Sequence, residues 1–314
     1  MSHLKKDLAD AGTVAFPTSS HVDEQLEPDS SLTAKSSIVG YVDGYVKHGH
    51  QRHGLGNVLF MINAALVCAS KVALINSSNV LRGTSNAFGR HRSEQPYTST
   101  LLRRFRLVQR RPGSAVGTLR GGQGRTAPLP SCPNTSFVTR TFAQSPPFVA
   151  HVPRLLRLLS WPTDLWTRPR VASRYVDLRD GTCVGVRAGR DFSHRPIRAA
   201  QYRRALDQLS AYGESIQPLF VLGDVPNAWA PFESEVGFGP ATQIDEDDVT
   251  QLALGRHCRN FVLSQSSFHV WMAYAAIRPR HVLLFNGTDP INAGIAAPAW
   301  VQTPWVVLSS SLVG

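Results

Sequence analysis

Three short segments of the chain combine glycine, hydroxyl and basic residues in patterns suited to binding an anion. They are HGLGN at 53–57, GVRAGRD at 185–191 and QSSF at 265–268. Each is interpreted as a connection from a strand to a helix, where free backbone N–H groups and the helix dipole attract negative charge. The sequence therefore predicts anion binding at these connections, with a phosphate-bearing ligand as the natural candidate.

The first segment brings two glycines and an amide to the start of an apolar run. Gly54 and Gly56 permit close approach of the backbone to a ligand, and Asn57 offers its amide to a phosphate or sugar oxygen. The alternative is a plain loop in which Asn57 is the N-cap of the next helix. A GxG pattern without a third glycine is a weak signal, and no GK[ST] follows, so this is not a Walker loop.

The second and third segments add a cation and two hydroxyls. Arg187 leaves the end of a predicted buried strand, where its guanidinium can clamp a diphosphate through two hydrogen bonds. Ser266 and Ser267 open a predicted helix and expose both hydroxyls and amides. The alternatives are a surface arginine in an arginine-rich chain and ordinary serine capping.

Two further groups of residues are interpreted as structural. The acidic run 245–248 contains a DxD pattern that suits a divalent metal, but acids are expected at a helix N-terminus and we predict no metal. His257, His269 and His281 lack the spacing of a zinc site, and only His269 lies near a proposed anion site. Phe268 begins an aromatic i, i+3, i+6 series that is typical of a core.

Regular elements flank these segments. A strand at 38–42, a helix at about 58–70 and a strand at 71–75 predict a β-α-β unit. The later elements are strands at 183–189, 218–224, 260–264 and 281–286, alternating with helices at 196–211, 245–258 and 266–277. Such alternation predicts a doubly wound parallel sheet, whose ligands bind beyond the carboxyl ends of the strands.

The composition fits a folded protein with an anionic partner. The 314 residues are 42% hydrophobic, which allows a sizeable core, and the net charge is +11. Base composition of the gene is an equally simple source for most of the arginines. Residues 1–36 are polar and predicted to be a disordered tail. Residues 82–170 are irregular and arginine-dense, with one clear helix at 152–160.

The four cysteines show no CxxC or zinc spacing. Cys68 and Cys183 lie in apolar stretches and are interpreted as buried small hydrophobes, so a reducing compartment fits, while two disulfides stay an alternative. No stretch approaches the roughly 18 apolar residues of a membrane helix. The first residues lack the apolar core of a secretory signal. We therefore expect a soluble intracellular or organellar protein.

Taken in order, the segments resemble the α-1,2-fucosyltransferase family, glycosyltransferase family 11. That family begins with GGLGNQ before a long apolar helix, has a strand ending in HxRRGD, and closes with DL-LMS-CKHFIIANSSFSWWAAYL. The similar stretches here are 53–60, 185–192, 201–206, 219–224 and 248–277. The resemblance covers about residues 38–76 and 175–305, and the order of its blocks is more specific than any one motif.

The chain departs from the family pattern at several positions. Gly185 stands where HxRRGD has its histidine, and Ala188 stands where it has its second arginine, although Arg190 can supply a replacement. Asp191 is displaced by one residue. In the closing block, His269 stands for the serine that follows SSF.

The resemblance implies a GT-B-like α/β fold with two Rossmann-like halves and a ligand cleft between them. Residues 37–172 would form the acceptor-side domain, 173–288 the nucleotide-sugar domain, and 289–314 a tail that packs back. The donor would be GDP-fucose and the acceptor a galactose-terminated glycan. Fucose would be transferred with inversion and without a metal or other cofactor. Family members are often membrane-associated, whereas no membrane segment is predicted here.

The resemblance also assigns roles to residues. Arg187 would stabilise the departing GDP, and Asp191 would be the candidate base. The donor-binding residues would be Gly54, Gly56, Asn57, Arg187, Asp224, Ser266, Ser267 and Phe268. Two alternatives stay open. One is a catalytically degenerate homologue that binds a nucleotide or glycan. The other is a basic nucleic-acid-binding protein, although no nucleic-acid module is visible and no such partner is expected.

Overall fold

Two parallel β-sheets with helices packed against them form the framework of the computed structural model. The structure describes residues 38–42, 55–75, 97–108, 117–119, 132–139, 146–187, 197–223, 227–264, 266–285 and 305–308. All of these belong to one compact unit, Lys35–Gly314. The predicted α/β class with two Rossmann-like halves is confirmed.

The first sheet has five strands and begins with the predicted β-α-β unit. Its strands are β1 (Val39–Val42), β2 (Lys71–Ile75), β3 (Arg106–Val108), β4 (Gly117–Leu119) and β5 (Phe137–Thr139). They pair in the order β3-β2-β1-β5-β4, and every pair is parallel. The associated helices are α1 (Leu55–Cys68), α2 (Pro146–Val149) and α3 (Val152–Leu158).

The second sheet has six strands in an order that creates a crevice. Its strands are β6 (Thr182–Val186), β7 (Leu219–Gly223), β8 (Ala241–Gln243), β9 (Asn260–Leu263), β10 (His281–Phe285) and β11 (Trp305–Leu308). The order β11-β10-β9-β6-β7-β8 reverses direction between β6 and β9. Ligands of doubly wound sheets bind beyond the carboxyl ends of the two strands at such a reversal.

Five α-helices accompany this half among the residues that the structure describes. They are α4 (Pro169–Arg174), α5 (Ala199–Ala211), α6 (Ala230–Val236), α7 (Asp248–Gly255) and α8 (Ser267–Tyr274). Among the residues that the structure describes, no helix is both long enough and apolar enough to cross a membrane.

Helix α1 connects the two halves because it is apolar on every side. Twelve of its fourteen residues are buried, as expected for a helix without a polar face. The ring of Phe60 lies 5.0 Å from that of Trp271 and 6.3 Å from that of Tyr274, both on α8. The aromatic series on α8 is therefore core at Trp271 and Tyr274, as predicted, and it fixes the start of α1 against the start of α8.

Three predicted helix starts are wrong by a few residues. Helix α1 begins at Leu55 rather than residue 58, so Asn57 lies inside the first turn and is not an N-cap. Helix α5 begins at Ala199 rather than at residue 196. Helix α7 begins at Asp248, because the Asp247 carboxylate accepts hydrogen bonds from the N–H groups of Val249 and Thr250, both at 3.0 Å. Capping geometry, which apolar periodicity does not reveal, sets the start of α7.

All four cysteines are paired, and this replaces the prediction of reduced, buried thiols. Cys68 bonds to Cys132 with a Cα–Cα distance of 5.1 Å, and Cys183 bonds to Cys258 with a distance of 5.9 Å. The sequence separations are 64 and 75 residues. Loops of this length predict a loss of unfolded-chain entropy of about 4 kcal/mol per link. Cys68 is the last residue of α1 and Cys183 lies in β6. Each link therefore restrains an element that carries or precedes a predicted site residue.

Candidate functional site

The first turns of α1 and α8 meet at the carboxyl ends of the strands. The Ser267 hydroxyl donates a hydrogen bond of 2.8 Å to Oδ1 of Asn57, which lies 210 residues away in the chain. Both side chains are only partly buried. Two of the three segments predicted from sequence are thus in direct contact.

Gly56 makes this contact possible. A β-carbon at Gly56 would lie 2.5 Å from the backbone nitrogen of Phe268 and 2.7 Å from its α-carbon. Backbone atoms in the first turn of a packed helix cannot move aside as a flexible side chain would. Glycine is therefore required here for close approach of two backbones. The half-buried Phe268 takes part in this contact through its backbone.

The hydroxyls at the start of α8 are not used for ordinary capping. Ser266 occupies the N-cap position with an extended backbone, but its side chain makes no capping hydrogen bond. The Ser267 hydroxyl is directed to Asn57 instead. Simple serine capping is therefore not the reason for these two serines. The first N–H groups of a helix have no partner within the helix and can bind an anion.

Arg187 follows β6 at the reversal of strand order in the second sheet. It is half-buried, and its Nε is shielded from solvent. Gly185, two residues before Arg187, packs against the ring of His269, the third residue of α8. Strand β6 therefore brings Arg187 toward the start of α8. The three segments predicted from sequence converge on one place.

His269 is the central buried group of this place. Its Nδ1 lies 2.7 Å from the Ser264 hydroxyl at the end of β9, and its ring also contacts the backbone of Leu222 in β7. Burial, followed by the nearby charge of Arg187, lowers the pKa of His269 to about 3. The ring is neutral at pH 7 and connects the ends of two strands without adding a second positive charge beside Arg187.

The ring of His269 fills the space beside Gly185. A β-carbon at Gly185 would lie 2.5 Å from Nδ1 and 2.7 Å from Cγ of that ring. The Gly185 carbonyl accepts a hydrogen bond of 3.0 Å from the Tyr202 hydroxyl. Gly185 and His269, two positions at which the sequence departs from the fucosyltransferase pattern that it resembles, thus occupy adjoining space. The sequence signal for this packing is the absence of histidine at residue 185 together with its presence at residue 269.

We expect Gly185→Ala to destabilise the fold by about 1–3 kcal/mol, the usual cost of overpacking a core. The imidazole cannot swing away, because it is buried and bonded to Ser264. Urea unfolding of the purified variant measures the effect. The double variant Gly185→Ala/His269→Ala should recover part of the loss relative to the sum of the single changes, since the new methyl occupies the vacated space. Additive effects would contradict the packing described here.

Several predicted site residues are not placed. Gly54, Asp191 and Asp224 lie outside the described residues. The acidic run has structural partners: Asp247 caps α7, and the Tyr97 hydroxyl donates to Asp248. Among the described ranges, no group of three or more His, Cys, Asp or Glu side chains is arranged to hold a metal ion.

Comparisons with known proteins add little to the geometry. No family model matches the sequence, and no curated protein sequence matches it. Among solved structures, a glycosyl transferase family 9 protein from Veillonella parvula DSM 2008 aligns over 88% of this chain and 87% of that one. The TM-score is 0.46 and the sequence identity 12%. At that identity no substrate or residue role transfers from that protein to this one.

Proposed function

We propose that this protein transfers L-fucose from GDP-fucose to a hydroxyl group of a galactoside, with inversion and without a metal ion. One observation carries the proposal: the hydrogen bond between Asn57 and Ser267. It joins two segments that resemble blocks of the α-1,2-fucosyltransferase family and that are far apart in the chain, and Arg187 belongs to a third such segment. A glycosyl transfer of this kind needs an anion site between two halves of the protein.

The chemistry follows from the charge that develops on the leaving group. As the bond from the anomeric carbon to the diphosphate breaks, negative charge accumulates on GDP. In our proposal the Arg187 guanidinium and the N–H groups at the start of α8 stabilise that charge. The sugar becomes oxocarbenium-like, and the acceptor hydroxyl attacks from the opposite face. Asn57 would then close the first half of the protein over the donor.

Other parts of the chain have supporting roles in this proposal. The acceptor-side domain would be 37–172 and the nucleotide-sugar domain 173–288. In the tail 289–314, strand β11 pairs with β10 of the second sheet, which supports a tail that packs back. Asp191 and Asp224 stay proposed as candidates for the base that deprotonates the acceptor. The neutral ring of His269 would position the end of β6, and with it Arg187.

The test is release of GDP from GDP-fucose with lactose or lacto-N-biose as acceptor, followed by NMR determination of the linkage in the product. We expect release that depends on the acceptor and a product with an α-1,2 linkage. GDP-mannose and UDP-galactose serve as control donors and should not be used. Transfer from a control donor but not from GDP-fucose would contradict the assigned sugar.

The competing function is binding without catalysis. It is favoured by the replacement of two positions of the HxRRGD pattern, by Gly185 and Ala188. Calorimetric binding of GDP without transfer or hydrolysis would support this alternative over the enzyme. Absence of both binding and transfer would overturn the nucleotide-sugar site itself.

A further inference from the structure

The positive charge of the chain is concentrated in the part that forms the first sheet. Residues 38–163 contain sixteen Lys and Arg against two Asp and Glu, a net charge of +14. Residues 164–314 contain fourteen of each and are neutral overall. The excess charge therefore belongs to one region and is not spread along the chain, which indicates an anionic partner for that region.

A cavity of about 340 Å³ lies against strands β1, β2 and β3 of the first sheet. Its walls include the first residues of β1 and β2, the start of β3, and the ends of α1 and α3. Lys71, Arg104 and Arg106 line it together with Tyr41, Val72 and Leu158. All three cationic side chains are exposed, and Tyr41 is half-buried. The volume is within the range of pockets that bind small ligands.

This cavity is separate from the contact between α1 and α8. It includes Leu66 near the C-terminal end of α1, whereas Asn57 lies in the first turn of the same helix. The two positions are nine residue steps apart, which corresponds to about 14 Å along the helix axis. Binding in the cavity can therefore be measured independently of the proposed transfer reaction.

The cationic groups at the cavity have no carboxylate among its described lining residues. The only acids in 38–163 are Asp43 and Glu94, both outside the described residues. Three like charges around one small cavity repel each other, and an anion bound among them would relieve that repulsion.

Hydrogen bonds to the backbone fix part of this wall. Nη1 of Arg104 donates to the Arg157 carbonyl at 3.1 Å. Arg154 donates to the carbonyls of Leu66 and Ser70 at 2.8 and 3.0 Å. Leu66 and Ser70 both line the cavity. This wall of the cavity is thus partly ordered before any ligand binds, which lowers the entropy lost on binding.

We propose that this cavity binds an acidic saccharide, a sugar ring that carries a sulfate or carboxylate group. The cations would contact the acidic group, and Tyr41 and the aliphatic walls would pack against the apolar face of the ring. A nucleic acid fits less well. A duplex cannot enter a cavity of this volume, and single strands need aromatic rings that stack on successive bases, whereas Tyr41 and the largely buried Phe105 are the aromatic residues of the described lining.

The test is calorimetric titration of the whole protein with 3′-sulfolactose and with 3′-sialyllactose. Both acidic sugars, or one of them, should bind, and the pair distinguishes sulfate from carboxylate. Lactose measures any binding of the neutral sugar. Arg106→Ala should weaken binding of the acidic sugar about tenfold or more, as expected for loss of a charge-assisted hydrogen bond. It should leave binding of lactose unchanged. Lys71→Ala provides a second variant of the same cavity.

Arg103→Ala is the matched control. Arg103 is exposed and lies close to Arg106 in the sequence, but it does not line the cavity. Its removal makes the same change in net charge as the removal of Arg106. We expect less than about a twofold effect from it, because screened surface charge contributes little. Equal effects of Arg103→Ala and Arg106→Ala would overturn the site in favour of diffuse attraction. Absence of binding, or tighter binding of a ten-nucleotide oligothymidylate that displaces the sugar, would also overturn it.

Discussion

Replacement of Gly56 by alanine is expected to lower the free energy of unfolding by at least about 2 kcal/mol and turnover by about 100-fold. The added β-carbon would lie 2.5 Å from the backbone nitrogen of Phe268, so α1 and α8 must separate. Overpacking of this kind costs about 1–3 kcal/mol or more. A displacement of about 1 Å at a reacting site can cost about 100-fold in rate. Urea unfolding and GDP release measure the two effects.

The control for this prediction is Gly255→Ala in α7. Its new β-carbon would lie 3.0 Å from the sulfur of Met272, a flexible side chain that can adjust. Alanine is favoured over glycine in a helix by about 1 kcal/mol, so Gly255→Ala should stay within about 1 kcal/mol of the parent. Helix propensity alone predicts stabilisation in both variants. If Gly56→Ala were as stable and active as Gly255→Ala, the close approach of α1 and α8 would be wrong.

Removal of the Arg187 side chain is expected to reduce kcat/KM for GDP-fucose by about 100- to 1,000-fold while leaving the fold intact. That range is typical for loss of one donor that stabilises charge in a transition state. The residue is half-buried beyond the end of β6, so its truncation should disturb the core little. Kinetics of Arg187→Ala, together with calorimetric affinity for GDP, measure the loss. Full turnover by this variant would exclude the proposed role.

Two companion variants sharpen the interpretation. Arg187→Lys keeps the charge but loses the planar, two-pronged donor, so it should recover only part of the activity. Arg203→Ala removes one positive charge from the exposed face of α5 and should leave kcat/KM nearly unchanged. Similar losses in Arg203→Ala and Arg187→Ala would indicate a general effect of net charge rather than a contact with the leaving group.

The regular elements were predictable because their information is local. Strand β2 was predicted with both of its ends correct, and β9 within one residue. Buried parallel strands are short apolar runs, and a helix such as α1 is apolar on all sides. These patterns are visible in any window of ten residues. The short strands β3 to β5 were missed because three residues are too few for a period to be recognised.

Part of the candidate site was also predictable. Parallel strands place their carboxyl ends at one edge, so residues that follow β6 and β9 must lie near each other if these strands are neighbours. Arg187 and Ser266 follow these two strands, and the structure pairs β6 with β9. A doubly wound sheet therefore implies that both segments lie at one edge, and the pairing of β6 with β9 makes them neighbours.

By itself, the sequence determined the fold class, most elements and the chemical types available for an anion site. Only the tertiary structure decided which distant atoms share one space. It brought Ser267 to Asn57, placed the His269 ring beside Gly185 and paired Cys68 with Cys132. The physical reason is that hydrophobic periodicity and capping act over a few residues. Contacts across 60 to 210 residues instead depend on sheet order and helix packing, which no local pattern encodes.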